Sequence, residues 1–351
     1  MRFAVLQEAD FAPGQERQRY REMIEEAALI EEMGFHVYGL SEQHFNETVA
    51  TVSSPEVFLG YLAARTTKIR LRWTSAVLLS FNHPIRVAER LTTLDVLSEG
   101  RAELATARSN NPYTLEGFQV DATETRAQWT ESLEIIVKAL TEDPFEYHGE
   151  IWDIPPRKLT PRGVQQPHPP ILAAATSLET HRIAGGLGLG VMCGNSLPGG
   201  WDYVQACAEA YRGAIAEAKP LAGAITDSMS CFVATAHCAE TSEQAKEEAA
   251  EAAFRFVDLM IDWYGNLSTT SPDYAYLGRI VEVAERNRDL DYLIDRSPYI
   301  SIGDPDFLVE RFRALERMGV DEMLLRIDGM THEQHMRSIE LLGKHVLPEL
   351  V

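Results

Sequence analysis

Short apolar runs alternate with segments of helical period along the whole chain, and the switches between the two mark out a repeating strand–helix order. Arg2–Leu6 reads as a first strand, and a helix follows Pro13-Gly14, with Met23, Ala27 and Ile30 on one face, ending at Gly34. Val37–Leu40 predicts a second strand and Ser41–Ser54 a polar loop, after which Pro55 opens a helix at its first turn. Ile69–Leu79 is the third strand, Pro84–Ser98 a helix stopped at Gly100, Ala102–Ala107 the fourth strand and Arg126–Thr141 its helix. Seven prolines in the 27 residues from Pro144 to Pro170 then exclude helix or inner strand. The order resumes with strands at Pro170–Ala174, Gly190–Gly194, Met229–Ala236 and Glu322–Arg326. Helices begin near Ser177, Trp201, Ser242 (to about Tyr264) and Asp304, and a last one carries Ile339, Leu342 and Val346.

Eight strands with helical crossovers predict an α/β fold with a parallel sheet, and eight strands close into a (β/α)₈ TIM-type barrel. The rival is an open doubly wound sheet, suggested by the glycine cluster Gly185-Gly186-Leu187-Gly188-Leu189-Gly190. That cluster does not fit G-x-G-x-x-G, and it precedes a strand where a dinucleotide loop follows one. The expectation is therefore one barrel domain over residues 1–351, with insertions near 108–125, 144–170 and 265–301.

Composition narrows the function classes. Of 351 residues, 45% are hydrophobic and 24% charged, the balance of an ordinary globular chain. With 53 acidic against 32 basic side chains the formal charge is −21, which argues against nucleic acid, since phosphate binding needs clustered Lys and Arg. No apolar run approaches the roughly 18 residues of a membrane span, and the first residues lack a signal peptide's layout, so a cytoplasmic location is expected. Cys193, Cys207, Cys231 and Cys238 show no C-x-x-C and no companion histidines at zinc spacing; they read as buried small hydrophobes, with no metal expected.

In such a barrel chemistry sits on the loops after strand C-termini. After strand two comes Ser41-Glu42-Gln43-His44-Phe45, where His44 suits acid, base or hydrogen-bond work and equally suits a loop histidine bonded to Glu42. After strand four, Arg108 beside Ser109, Asn110 and Asn111 suits a phosphate or carboxylate, or stands as a solvated arginine. After strand five, Thr176, Ser177 and Thr180 at a helix start make an anion site or an N-cap. The H-x-x-H of His332 and His335 is not H-E-x-x-H, and no G-x-S-x-G elbow or P-loop occurs. The residues alone point to an anion-anchored ligand with a histidine nearby.

The run His83-Pro84-Ile85-Arg86-Val87-Ala88-Glu89 through Leu94-Asp95 to Ser98-Glu99-Gly100-Arg101, with Ser41–Phe45 and Pro169–Thr180, resembles the bacterial-luciferase-like family of flavin-dependent monooxygenases. The likeness covers nearly the whole chain. It implies a (β/α)₈ barrel, usually a homodimer, that takes FMN as FMNH₂ from a separate flavin reductase. O₂ would then oxygenate an organic substrate through a flavin hydroperoxide. By this resemblance Arg108, Ser177 and Thr180 hold the flavin phosphate, with Asn110 and Ala175 beside them, and Ser75-Ala76 forms a non-proline cis peptide and bulge behind the ring. Thr176 and Asn195 stand where the luciferase catalytic subunit has glutamate and tryptophan. The family's E-H-H-F reads Glu42-Gln43-His44-Phe45 here, so the proton-transfer histidine is replaced by Gln43, an amide that exchanges no proton near pH 7. Either His44 takes over, or the reaction needs less base assistance. The absence of a charged cluster beyond the phosphate site favours an apolar aldehyde, terpenoid or aromatic polyketide as substrate. The alternatives are a reduced-deazaflavin oxidoreductase of the same fold and a non-catalytic flavin-binding subunit.

Overall fold

A computed structural model describes residues 1–194, 196–221 and 224–350. Eight parallel strands close into a barrel: β1 (Arg2–Gln7), β2 (Val37–Ser41), β3 (Arg70–Val77), β4 (Ala102–Ala107), β5 (Ile171–Ala175), β6 (Gly190–Cys193), β7 (Met229–Val233) and β8 (Glu322–Arg326). Each strand pairs with its chain neighbours, and β1 closes the ring on β8, with Ala4 opposite both Val37 and Leu324. The strands are mostly apolar because helices cover the outer face and side chains fill the inner one, with Arg72, Glu103, Glu322 and Arg326 as buried charged exceptions.

Local chemistry sets the helix starts. Pro55 and Pro84 stand in the first turn of their helices, and the His83 ring accepts from the Ile85 amide at 3.2 Å. Asp304 caps Pro305–Arg317 by accepting from the Phe307 amide at 3.0 Å, and Thr331 with Gln334 forms a reciprocal box at His332–Leu341.

Three departures from the sequence reading matter for the site. The helix beginning at Ser242 runs through Gly265 to Thr270, because Trp263, Tyr264 and Leu267 pack on one buried face and offset the roughly 1 kcal/mol cost of an interior glycine. The expected strand Met229–Ala236 splits at Ala234, whose amide donates to the Tyr299 carbonyl at 2.7 Å. Its second half, Thr235–Cys238, pairs instead in parallel with Ile300–Gly303, where the 265–301 insertion ends. The proline-rich segment holds a small antiparallel hairpin, Phe145–His148 with Asp153–Arg157, whose second strand tolerates Pro155 and Pro156 as an edge. The long helix and the insertion build a second apolar cluster with Val77 and Leu79, beyond the C-terminal end of β3.

Candidate active site

The strand C-termini open into a cleft of about 1070 Å³, counting its mouth, between the barrel and this second cluster. Gln43, Ser75, Arg108, Asn110, Ala175, Thr176 and Thr180 all line it. Arg108 follows the last residue of β4 and is largely buried. Its guanidinium lies over the Tyr274 ring at 5.1 Å, and its Nη1 is buried with no hydrogen-bond partner among the described residues. The Asp273 carboxylate, at 4.0 Å from Nη1, is too far to hydrogen-bond it. A buried guanidinium nitrogen left in this condition is costly unless a ligand oxygen completes it.

Next to it, the loop after β5 leads into the helix Leu178–Gly186. Ser177 is the N-cap, its Oγ accepting from the Thr180 amide at 3.2 Å and lying 3.0 Å from the Thr180 hydroxyl. Capping satisfies one of the free N–H groups of the first turn and leaves others to face an anion. Ser177 itself lines an adjoining groove of about 570 Å³, which shares Thr176 and Tyr276 with the main cleft and adds Arg279. An anchored anion therefore has cationic and amide donors on two sides.

On the β2 side, Gln43 faces the cleft, whereas His44 is not among its lining residues. His44 bonds the Glu42 carboxylate at 3.1 Å and packs edge-on against Phe118 and Phe81, at 4.9 and 5.7 Å between centroids. Glu42 in turn accepts from the Val77 amide and the Asn82 side chain. This is the loop-histidine arrangement of the two that sequence left open.

Ser75 adopts φ +63°, and the β3–β4 register shifts between Trp73 and Ala76. The bulge implied by the resemblance is thus present, but the Ser75–Ala76 bond is not cis: the left-handed Ser75 alone turns the chain. Its side chain lines the cleft, while Ala76 is fully buried in the barrel core. Asn195 lies outside the described residues.

The sequence reading missed the opposite wall. Met260, Trp263 and Tyr264 from the long helix and Tyr274, Tyr276 and Tyr299 from the insertion face the cleft, with Phe232 and Phe256. Burial pushes all four tyrosines above their ordinary pKa, so their hydroxyls stay neutral hydrogen-bonding groups near pH 7. Trp263 Nε1 is buried without a partner among the described residues. At the floor, Glu8 pairs with Arg326 at 2.7 Å and accepts from Ser41. Burial pushes Glu8 above the ordinary carboxylate range, with Arg326 and Ser41 pulling it back. The signal for this wall was an aromatic helix face, which sequence alone does not separate from core.

The chain matches the family model of luciferase-like monooxygenases over residues 1–322. It belongs to that family. The oxygenase component of a flavin-dependent trigonelline monooxygenase from Acinetobacter baylyi is 26% identical across 99% of this chain and 95% of that protein. Two uncharacterised Sinorhizobium fredii proteins are 32% and 33% identical, and the matched stretch spans only about half of their length, 55% and 45%. Among solved structures, the monooxygenase RslO1 from Streptomyces bottropensis superposes with a TM-score of 0.81 at 26% identity, over 100% of both chains. The family's barrel is the one described above, with the cleft at its C-terminal end.

Proposed function

We propose that this luciferase-like protein is the oxygenase component of a two-component monooxygenase. It would accept reduced FMN from a separate reductase and use O₂ to oxygenate an uncharged, apolar or aromatic organic molecule. The observation that carries the reading is the unpartnered, buried Nη1 of Arg108, aimed into a cleft next to a helix N-terminus. That donor set fits a phosphate monoester, and the cleft beyond it is wide enough for a flat ring system. The family and the flavin-dependent relative supply the remaining support.

In this scheme Arg108, with Ser177, Thr180 and the first-turn amides, would hold the FMN phosphate, and the Ser75 bulge would help shape the cleft that takes the ring system. Bound reduced flavin supplies the electrons that activate O₂. The work of the chain is to anchor, orient and exclude water. The Phe, Trp and Tyr wall covers an apolar substrate and offers neutral hydroxyls to it. Gln43 can hydrogen-bond a polar atom there but cannot move a proton near neutral pH, and the Glu8 carboxyl at the floor is better suited to hold one. With Arg108 engaged by phosphate, the cleft lining presents no other cation among the described residues for an anionic substrate. We place the enzyme in the cytoplasm, as one barrel domain acting as a homodimer.

Anaerobic titration with reduced FMN, followed by O₂ and a panel of uncharged aldehydes, cyclic ketones and aromatic compounds, tests this reading. Binding of reduced FMN and an O₂-derived oxygen in the product are the expected results. Tight binding of a reduced deazaflavin with none of FMN would replace oxygenation with hydride transfer. No binding of either flavin would leave a non-catalytic subunit.

A further inference from the structure

We propose that His181, Cys193 and Cys207 form a buried site for a thiophilic d¹⁰ metal ion, Zn(II) or Cu(I), directly behind the Thr176–Thr180 loop. The three come from different elements: His181 from the helix Leu178–Gly186, Cys193 from the end of β6, and Cys207 from the helix Ser196–Ile215. A ring nitrogen of His181 and the two Sγ atoms all lie within 4.8 Å of one another. All three residues are fully buried.

The histidine decides between a metal site and ordinary packing. Its Nδ1 lies 2.8 Å from the Ser177 carbonyl oxygen, and a carbonyl only accepts, so Nδ1 carries the proton. Nε2 is then left as a bare lone pair, and it is buried with no hydrogen-bond partner among the described residues. A backbone carbonyl fixing one ring nitrogen, with two soft donors close to the ring, is the arrangement that orients a metal-ligating imidazole. Two thiols alone would pack as small hydrophobes, and the Cys207 S–H offers the ring only a weak donor, which a metal ion would replace with a stronger bond.

The donor set selects the ion. With no carboxylate in the cluster, hard cations such as Mg²⁺ and Ca²⁺ are disfavoured, and sulfur with imidazole suits Zn(II) and Cu(I). Two thiolates and a neutral imidazole bring two negative charges, which Zn(II) would cancel, whereas the three-donor count suits Cu(I). Either ion would tie together three elements that meet beneath the loop of the candidate anion site. The loop is already held on its other flank, where Tyr203 donates to the Thr176 carbonyl at 2.9 Å. A metal would therefore fix Ser177 through His181. This site stands on its own geometry, whatever cofactor the cleft takes.

Since the donors are buried, the ion must enter as the chain folds. The full-length protein should be produced with Zn²⁺ or copper in the medium and purified without chelators. It should also be unfolded and refolded anaerobically with Zn²⁺, with Cu⁺ or with neither. Elemental analysis is expected to find about one equivalent per chain. Cys207→Ser should lose it, with affinity falling by more than the about 10–100-fold seen when only an outer partner is removed, while Cys238→Ser keeps it. If Cys207→Ser fails to fold, refolding the wild-type chain with Co²⁺ should give a thiolate-to-metal charge-transfer band in the near ultraviolet. Trace metal only in both arms, metal retained in folded Cys207→Ser, or no such band with Co²⁺ would overturn the assignment.

Discussion

The two ends of the barrel differ in how completely their buried charges are paired: Arg326 is closed off by Glu8 and Asp10 at the C-terminal end, but Arg108 is not. At the N-terminal end, Arg72 makes a bidentate pair with Glu322 at 2.6 and 2.9 Å and reaches Glu103 at 2.8 Å. Ser230 adds a bond to Glu322 at 2.6 Å, and Arg2 one to Glu103 at 3.1 Å. All three guanidinium nitrogens of Arg72 point at a carboxylate. At the C-terminal end, Arg108 Nη1 and Trp263 Nε1 are buried without partners among the described residues, and aromatic rings surround them. A closed network holds a fold together, and an open one waits for a ligand. The contrast follows the division of labour in (β/α)₈ barrels, with stability at the bottom and chemistry at the top.

The largest effect should come from opening the closed end. Arg72→Met leaves Glu322 and part of Glu103 buried without their main partner, which should cost about 3–5 kcal/mol in a urea unfolding experiment. Reduced-FMN affinity of the folded fraction should stay near the wild-type value. A loss of affinity as large as the loss of stability would mean that the two ends are not separate.

Acid should act on the same end. Burial works against an ionised Glu103, but Arg72, and then Arg2 and Arg70, hold its pKa at about 2. The folded pKa lies below the unfolded one, so this contribution is fully present above the unfolded value of about 4.5 and is lost as pH falls from there through 2. Chemical unfolding at stepped pH should lose about 3 kcal/mol from this group across that window. A flat stability profile between pH 5 and 3 would contradict the closed network.

The smallest effect should be at His44. It is bonded to Glu42, set against Phe81 and Phe118, and is not among the residues that line the cleft. His44→Ala should lower stability by about 1 kcal/mol and leave turnover per folded, flavin-loaded molecule within a few-fold of wild type. A fall of about 10²–10⁴-fold would restore His44 as an acid–base catalyst. Gln43→His, which faces the cleft, is the variant expected to change turnover.

The barrel itself was legible because apolar runs and capped helices recur along the whole chain, and Arg108, Thr176 and Thr180 were legible because they stand just after strand ends or in the helix start beyond. The aromatic wall was not. Trp263 and Tyr264 continue a helical stripe begun by Phe256 and Met260, so their period reads as core, and Gly265 looks like a stop. The exchange of Thr235–Cys238 from barrel strand to the pair with Ile300–Gly303 depends on a distant segment and leaves no local trace. His181, Cys193 and Cys207 converge only through tertiary packing, so their spacing resembles no metal motif.

The central claim is that the open end is completed by a phosphate on Arg108. It is tested by titrating wild-type protein and Arg108→Ala, anaerobically, with reduced FMN and with reduced riboflavin, which has the same ring system and no phosphate. A charge-assisted hydrogen bond contributes on the order of 1.5–3 kcal/mol, so wild type should prefer FMN by about 10-fold or more. In Arg108→Ala that preference should largely disappear, with riboflavin affinity and folding stability little changed. Equal binding of the two flavins by wild type, or an undiminished FMN preference in the variant, would contradict the account.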